Sequence, residues 1–248
     1  MKKLKEKIPL KYKRLYRKIY WYLWRLYHKN NLRKLAQLYN PGKLSWYFEI
    51  YNRHLKEIRS PGKLLEIGVG GYNDLNTGGG SLRMWATYFR KSTIYGIDVV
   101  DKSLQNSGRI KTFIIDQSKK RELEDFAKEH GPFDIIIDDG SHFSSHVICS
   151  FQVLFKHLND GGIYIIEDTQ TSYWDDWGGC KNNFNVKTTT MGFFKSLVDG
   201  LNYEEFDFDS YHPTYYDKNI FGISFYHNMI IINKDENNYG SNIKGKRW

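Results

Sequence analysis

Five short apolar runs, each ending in an acidic residue or a glycine turn, recur between helical segments. This alternation constrains the fold more than any other feature of the 248 residues. The runs are Lys63–Ile67 (KLLEI), Thr93–Ile97 (TIYGI), Ile110–Ile115, Phe133–Ile137 (FDIII) and Ile163–Ile166 (IYII). Between them, Ser81–Arg90, Arg121–His130 and His146–Leu158 have helical spacing. Continuous apolar strands separated by helices imply a mostly parallel sheet with helices on both faces, because both sides of each strand are buried. After residue 200 the pattern changes. Tyr203–Phe208 and Ser224–Asn233 read as long strands with no helix between them, which predicts an antiparallel C-terminal edge.

The charge is unevenly placed. Residues 1–34 hold thirteen Lys or Arg against one acid, Glu6, whereas the rest of the chain holds 24 basic and 27 acidic residues. The basic character therefore belongs to an N-terminal arm, and the mildly acidic body argues against a domain that wraps nucleic acid. Within the arm, Tyr12, Leu15, Tyr16, Ile19, Tyr20, Leu23, Leu26 and Tyr27 fall three and four apart, with Lys and Arg between them and Pro9 suited to a first helical turn. Trp21, Tyr22 and Trp24 widen the apolar side. Residues 10–27 thus read as an amphipathic helix whose partner is either an anionic membrane interface, the body, or a second copy of the chain in a homo-oligomer; RNA is a weaker alternative. Leu32–Ile58 reads as one or two further helices broken at Asn40-Pro41-Gly42, and Pro61-Gly62 marks the start of the body. The expected division is a basic helical arm (1–60), an α/β domain (61–235) and a flexible tail (236–248). Two cysteines, Cys149 and Cys180, exclude a disulfide scaffold and a cysteine zinc site. No apolar run reaches membrane-spanning length. The expected setting is cytoplasmic, with peripheral attachment at the inner membrane face as the arm's alternative.

In an open parallel sheet, ligands bind beyond the carboxyl ends of the strands. Here those ends carry Glu66, Asp98, Asp116, Asp138-Asp139 and Glu167-Asp168. One such carboxylate is an ordinary cap or turn residue, but five converging on a crevice would repel unless they bound hydroxyls or a cation. Gly68 and Gly70 allow backbone to approach a ligand, and Asp98, 28 residues after Gly70, suits ribose hydroxyls. A nucleoside-containing cofactor follows; a nicotinamide dinucleotide stays open, although the third glycine of its fingerprint is missing. Asp139, Glu167 and Asp168 are hard oxygen donors suited to Mg²⁺, with Mn²⁺ or Ca²⁺ as substitutes. His142, in Asp139-Gly140-Ser141-His142, is either a ligand or, as preferred here, a general base. His146 and His157 read as structural. Tyr173, Trp174 and Trp177 form either an acceptor-binding loop or a structural flap.

Leu65-Glu66-Ile67-Gly68-Val69-Gly70-Gly71-Tyr72, Gly79-Gly80-Ser81-Leu82-Arg83-Met84-Trp85 and Tyr95-Gly96-Ile97-Asp98 resemble class I S-adenosylmethionine-dependent methyltransferases. Asp116-Gln117, Ile137-Asp138-Asp139-Gly140-Ser141-His142, Ile166-Glu167-Asp168 and Thr171-Ser172-Tyr173-Trp174 narrow the resemblance to the metal-dependent sugar O-methyltransferases of the mycinamicin and demethylmacrocin group. It spans roughly residues 62–232. The resemblance implies a Rossmann-like α/β fold and S-adenosyl-L-methionine held by Glu66, Gly68, Gly70 and Asp98, with Asp116 and Gln117 near the adenine. It further implies Mg²⁺ on Asp139, Glu167 and Asp168, His142 as base, and a sugar-containing acceptor: a glycoside, polysaccharide or glycolipid. The short basic arm departs from the larger N-terminal region of the macrolide enzymes. A catechol or other small hydroxyl compound is the alternative acceptor on the same scaffold.

Overall fold

A computed structural model describes residues 10–56, 58, 61–207 and 210–241. Seven strands form one sheet in the order β3-β2-β1-β4-β5-β7-β6. They are β1 Lys63–Ile67, β2 Thr93–Asp98, β3 Ile110–Ile114, β4 Phe133–Asp138, β5 Leu158–Glu167, β6 Ile220–Tyr226 and β7 Met229–Lys234. The first five pair in parallel, and β7 pairs antiparallel with both β5 and β6. The α/β class and the antiparallel edge are thus as the sequence indicates.

Side chains of a strand alternate between faces, so two cores form. On one face Leu64, Ile94, Ile135, Ile137, Ile163 and Ile165 pack against three helices: α2 (Leu32–Tyr39), α3 (Tyr47–Leu55) and α4 (Gly80–Tyr88). On the other, Leu65, Ile67, Tyr95, Ile136, Tyr164 and Ile166 meet α5 (Lys120–His130), α6 (Ser144–Leu154) and α7 (Thr190–Ser196). A short α8 (Tyr215–Asn219) leads into β6, its start fixed by a capping box between Thr214 and Asp217.

The helices of residues 32–55 do not stand apart from the body. Leu32, Leu35, Tyr47, Tyr51 and Leu55 are buried in the first core, so of the expected arm of residues 1–60 only α1 (Leu10–His28) projects. Trp24 anchors it by packing partly buried against that core. The break at Asn40-Pro41-Gly42 is where the sequence puts it: Asn40, in the left-handed region at φ 47°, closes α2. Gly80 opens α4 directly against that corner, since a Cβ there would lie 2.7 Å from the carbonyl oxygens of both Tyr39 and Asn40. Pro9, most of the 236–248 tail and Phe208 lie outside the described residues.

Two sequence readings are corrected. Of the expected strand Tyr203–Phe208, the described residues 203–207 form none: Asp199–Glu205 makes 3-10 turns with a kink at Asn202, and Phe206 meets Tyr211 edge-on at 4.8 Å. Ser224–Asn233 is not one strand either. It reverses at His227-Asn228, with Asn228 at φ 60°, and so supplies the end of β6 and most of β7. Asn tolerates that left-handed conformation, which makes it a hairpin residue in an otherwise apolar run.

Candidate active site at the strand ends

Pleat alternation carries Glu66, Asp139 and Glu167 off the ends of β1, β4 and β5 on the face of the first core. The registers that align them are Ile67↔Asp138 and Asp138↔Ile166. Asp138 points to the opposite face, where it accepts hydrogen bonds from Ser150 Oγ (2.5 Å) and Gln117 Nε2 (3.2 Å). Burial pushes Asp138 up to about 6, against the opposing bond from Ser150. Two neighbouring aspartates of one sequence motif therefore take different parts: Asp138 is an internal brace and Asp139 faces the crevice.

The carboxylates form two groups that share Asp139. In the inner group, ligand oxygens of Glu66, Asp139 and Glu167 lie within 4.8 Å of one another; in the outer group Asp139, His142 and Asp168 do the same. His142 and Asp168 both sit at positive φ, 59° and 53°. Such backbone is tolerated by His and Asp and here turns both side chains toward one hollow. His142 Nε2 is 4.0 Å from Asp139 Oδ1 and 3.7 Å from Asp168 Oδ2. Thr171 Oγ1 donates to the His142 carbonyl at 2.8 Å and fixes that turn.

Each carboxylate in the hollow is held by its other oxygen. Tyr47 Oη donates to Asp168 Oδ1 at 2.6 Å, and Tyr51 Oη donates to Glu167 Oε1. Burial, then the facing carboxylate, pushes both phenols far above their ordinary range, so both remain donors. Lys43, its side chain fully buried, places Nζ 2.8 Å from Asp139 Oδ2, 2.6 Å from Glu167 Oε1 and 2.9 Å from Glu66 Oε1. Burial alone would lower its pKa, but Asp139, Glu167 and Glu66 outweigh that and hold it charged. Burial raises Glu167, with the Asp139 charge adding to the effect. Lys43, Tyr47 and Tyr51 were missed in the sequence. Apart from the Lys43–Glu66 pair, they act on residues 96 to 124 positions away, and only the four-residue spacing of the two tyrosines hinted at a shared helical face.

The glycine loop lies beside this cluster. Gly68, at φ 87°, passes so close to β4 that a Cβ would fall 2.2 Å from the Asp139 carbonyl oxygen. Gly70, at φ 76°, has open space where its Cβ would be. Asp98 Oδ2 accepts from Val69 N at 2.9 Å and Oδ1 from Val100 N at 3.0 Å, so it shapes the loop. Asp116 is engaged by Ser118 through N (2.9 Å) and Oγ (2.7 Å). Gln117 is buried, its amide nitrogen on Asp138 and its carbonyl accepting from Ser141 N at 2.6 Å. Of the five acidic strand ends, then, those of β1, β4 and β5 meet, while Asp98 is engaged by the β1 glycine loop and by Val100, and Asp116 by its own turn. Ser141 Oγ pairs with His146 Nδ1 at 2.8 Å. Trp177 approaches the His142 ring at 6.4 Å and packs on Phe143 at 5.0 Å. Trp174 is exposed, and Tyr173 meets Phe184 edge-on at 5.4 Å.

The donors suit a hard divalent cation: the outer hollow offers one oxygen each of Asp139 and Asp168 beside an imidazole, with Glu167 adjoining. The glycine-rich loop on β1, the acidic strand ends and the seven-stranded order give the chain the Rossmann-like fold of methyltransferases. Within that class its homologues are the sugar O-methyltransferases of macrolide and tetracenomycin pathways. It is 43% identical over 201 residues to the mycinamicin VI 2''-O-methyltransferase of Micromonospora griseorubida, covering 80% of this chain and 50% of that one. It is 44% identical over 201 residues to the demethylmacrocin O-methyltransferase of Streptomyces fradiae, covering 80% and 51%. The crystal structure of the MycE methyltransferase in complex with Mg and SAH superimposes with a TM-score of 0.82 at 42% identity, covering 85% of this chain and 56% of the other. No family model matches the chain. The chain spans about half the length of the curated relatives it matches.

Proposed function

We propose that this protein is an S-adenosylmethionine-dependent, divalent-cation-dependent O-methyltransferase acting on a sugar hydroxyl of a glycoside, polysaccharide or glycolipid. The observation that carries the reading is the outer group: His142 Nε2 lies within 4.0 Å of both Asp139 and Asp168 beside the β1 glycine loop. The relatives' named acceptors are glycosides, which supports a sugar here.

Asp139, Glu167 and Asp168 would hold Mg²⁺, which when bound acidifies a coordinated hydroxyl. S-adenosylmethionine, received by the glycine loop with Glu66, Gly68, Gly70 and Asp98, supplies an electrophilic methyl group. The chain's own part in the chemistry is proton removal and positioning. His142 Nε2 faces the hollow and takes the hydroxyl proton, a contribution of roughly 10²–10⁴-fold in rate. Tyr47, Tyr51 and Lys43 keep the carboxylates in fixed orientation, so little reorganisation remains at the moment of transfer. Trp177, 6.4 Å from the His142 ring, and the exposed Trp174 three residues before it would offer aromatic faces to a sugar ring.

The test is methyl transfer from labelled S-adenosylmethionine to a panel of deoxysugar glycosides, polysaccharides and glycolipids with Mg²⁺. His142→Ala and Asp139→Asn are expected to abolish turnover while cofactor affinity changes little. Full activity of either variant, or of chelated wild type, would refute the reading.

We read α1 as a surface for anionic lipid. Leu15, Ile19, Leu23 and Trp21 are exposed along it, and Lys13, Arg14, Arg17, Lys18 and Arg25 interleave with them. Each cation near an anionic surface contributes about 1 kcal/mol. Among the described residues no helix is long and apolar enough to cross a membrane.

A further inference from the structure

The inner group of carboxylates is already neutralised by a group of the chain itself. Lys43 Nζ has three hydrogens and three carboxylate oxygens within 2.9 Å, one each from Glu66, Asp139 and Glu167, and its side chain has no solvent exposure. These oxygens lie within 4.8 Å of one another, close enough to share a single cation. Glu66 is fully buried, its Oε1 meets Lys43 as an ion pair, and the Ser81 side chain lies beside the same carboxyl. Burial of that much negative charge is tolerated only with a counter-charge at its centre.

We propose that Lys43 is a resident monovalent cation that fills the inner position of the cluster, restricts the site to one divalent ion in the outer group, and orients Asp139 for it. Asp139 belongs to both groups, and Glu167, which Lys43 holds through Oε1, borders the outer ion as well. Asp139 Oδ2 is held by Lys43, which leaves Oδ1 toward Asp168 and His142. Two-ion sites that clamp both reacting oxygens need a second divalent position, and here an ammonium occupies the only adjoining carboxylate group among the described residues. An ammonium cannot coordinate an acceptor hydroxyl, so the inner position is electrostatic alone. Lys43 reaches it because the Asn40-Pro41-Gly42 corner is wedged against the start of α4.

This rests on the outer group being a divalent-cation site, and ion counting separates the two ideas. Mn²⁺ bound per chain is measured by electron paramagnetic resonance, without cofactor or acceptor, for wild type, Lys43→Met and Lys43→Arg. Wild type and Lys43→Arg, which keeps the charge, are expected to bind one ion, and Lys43→Met two. The second ion should be lost again in Lys43→Met/Glu66→Gln. If Lys43→Met does not give a cooperative thermal melt, Lys43→Gln replaces it with the same expectation. One ion in every neutral variant, or two in wild type, overturns the role of Lys43 and leaves the outer site standing. No ion in wild type overturns both.

Discussion

Replacing Tyr47 by Phe removes one oxygen from the site and little else. The ring is 1% exposed and sits in the first core, so its packing survives. The hydroxyl lies 2.6 Å from Asp168 Oδ1 and 3.1 Å from the Asn228 carbonyl. Hydrogen bonds to a charged group are worth about 1.5–3 kcal/mol. Most of that is not lost from folding, because the Asp168 side chain is 28% exposed and water replaces the phenol. Stability should therefore fall by about 1 kcal/mol. What water does not replace is direction: without Tyr47 the carboxylate rotates freely about a backbone fixed at φ 53°. Partners that orient a ligand typically matter by about 10–100-fold in metal affinity. Mn²⁺ titration of Tyr47→Phe should thus show a dissociation constant weaker by about that factor at an unchanged count of one ion, with urea unfolding in chelator giving the smaller stability change. An affinity within about twofold of wild type, alongside the lost stability, would show that Tyr47 is a core residue whose hydroxyl orients nothing.

Two further outcomes follow from groups away from the cluster. His54, hydrogen-bonded at 2.8 Å to Tyr226 Oη, is held below its ordinary 6.5 by burial and then by the Arg53 charge. The unfolded chain therefore binds that proton more readily than the native one, so stability should be lost as pH falls through about 6.5. His54→Gln should flatten this part of the urea-midpoint profile, and an unaltered profile would count against a neutral His54. For α1, phosphatidylglycerol-containing vesicles should retain the protein at low salt, release it at high salt, and outcompete pure phosphatidylcholine vesicles. Equal retention by both, or concentration-dependent self-association without lipid binding, would refute the lipid reading.

The strands of the sheet and their acidic ends were legible because each is a continuous apolar run with its chemistry at the last residue or just beyond. Glu66, Asp139, Glu167 and Asp168 were named from that together with Asp98, Asp116 and Asp138, His142 came from the Asp139-Gly140-Ser141-His142 loop, and the family resemblance supported the choice among them. What the spacing did not reveal was their division into two groups, because that depends on pleat parity and on side chains from the facing helices. Lys43 carries no local sign of its role, since its partners are distant in sequence and meet it only across the sheet end. Nor did the sequence reveal that the Gln117 side chain braces Asp138 and the Ser141 turn. Tyr203–Phe208 misled because its mixture of aromatic and acidic residues imitates a half-buried strand, whereas Asp199–Glu205 turns as 3-10 with Leu201 packed on the second core. The Ser224–Asn233 hairpin was hidden by a turn without glycine.

The β6–β7 turn reaches further than its length suggests. The Asn228 carbonyl receives Thr169 N at 3.3 Å and Tyr47 Oη at 3.1 Å, and Trp46 stacks on His227 at 5.6 Å. Tyr47 and Asn228 are 181 positions apart, so the screw that sets Asp168 tightens only when both flanks of the sheet have closed. Loop closure of that span is a late event in assembly. A nascent or partly unzipped chain would carry the acidic strand ends without their final aim, and cation capture should report completion of the fold rather than guide it.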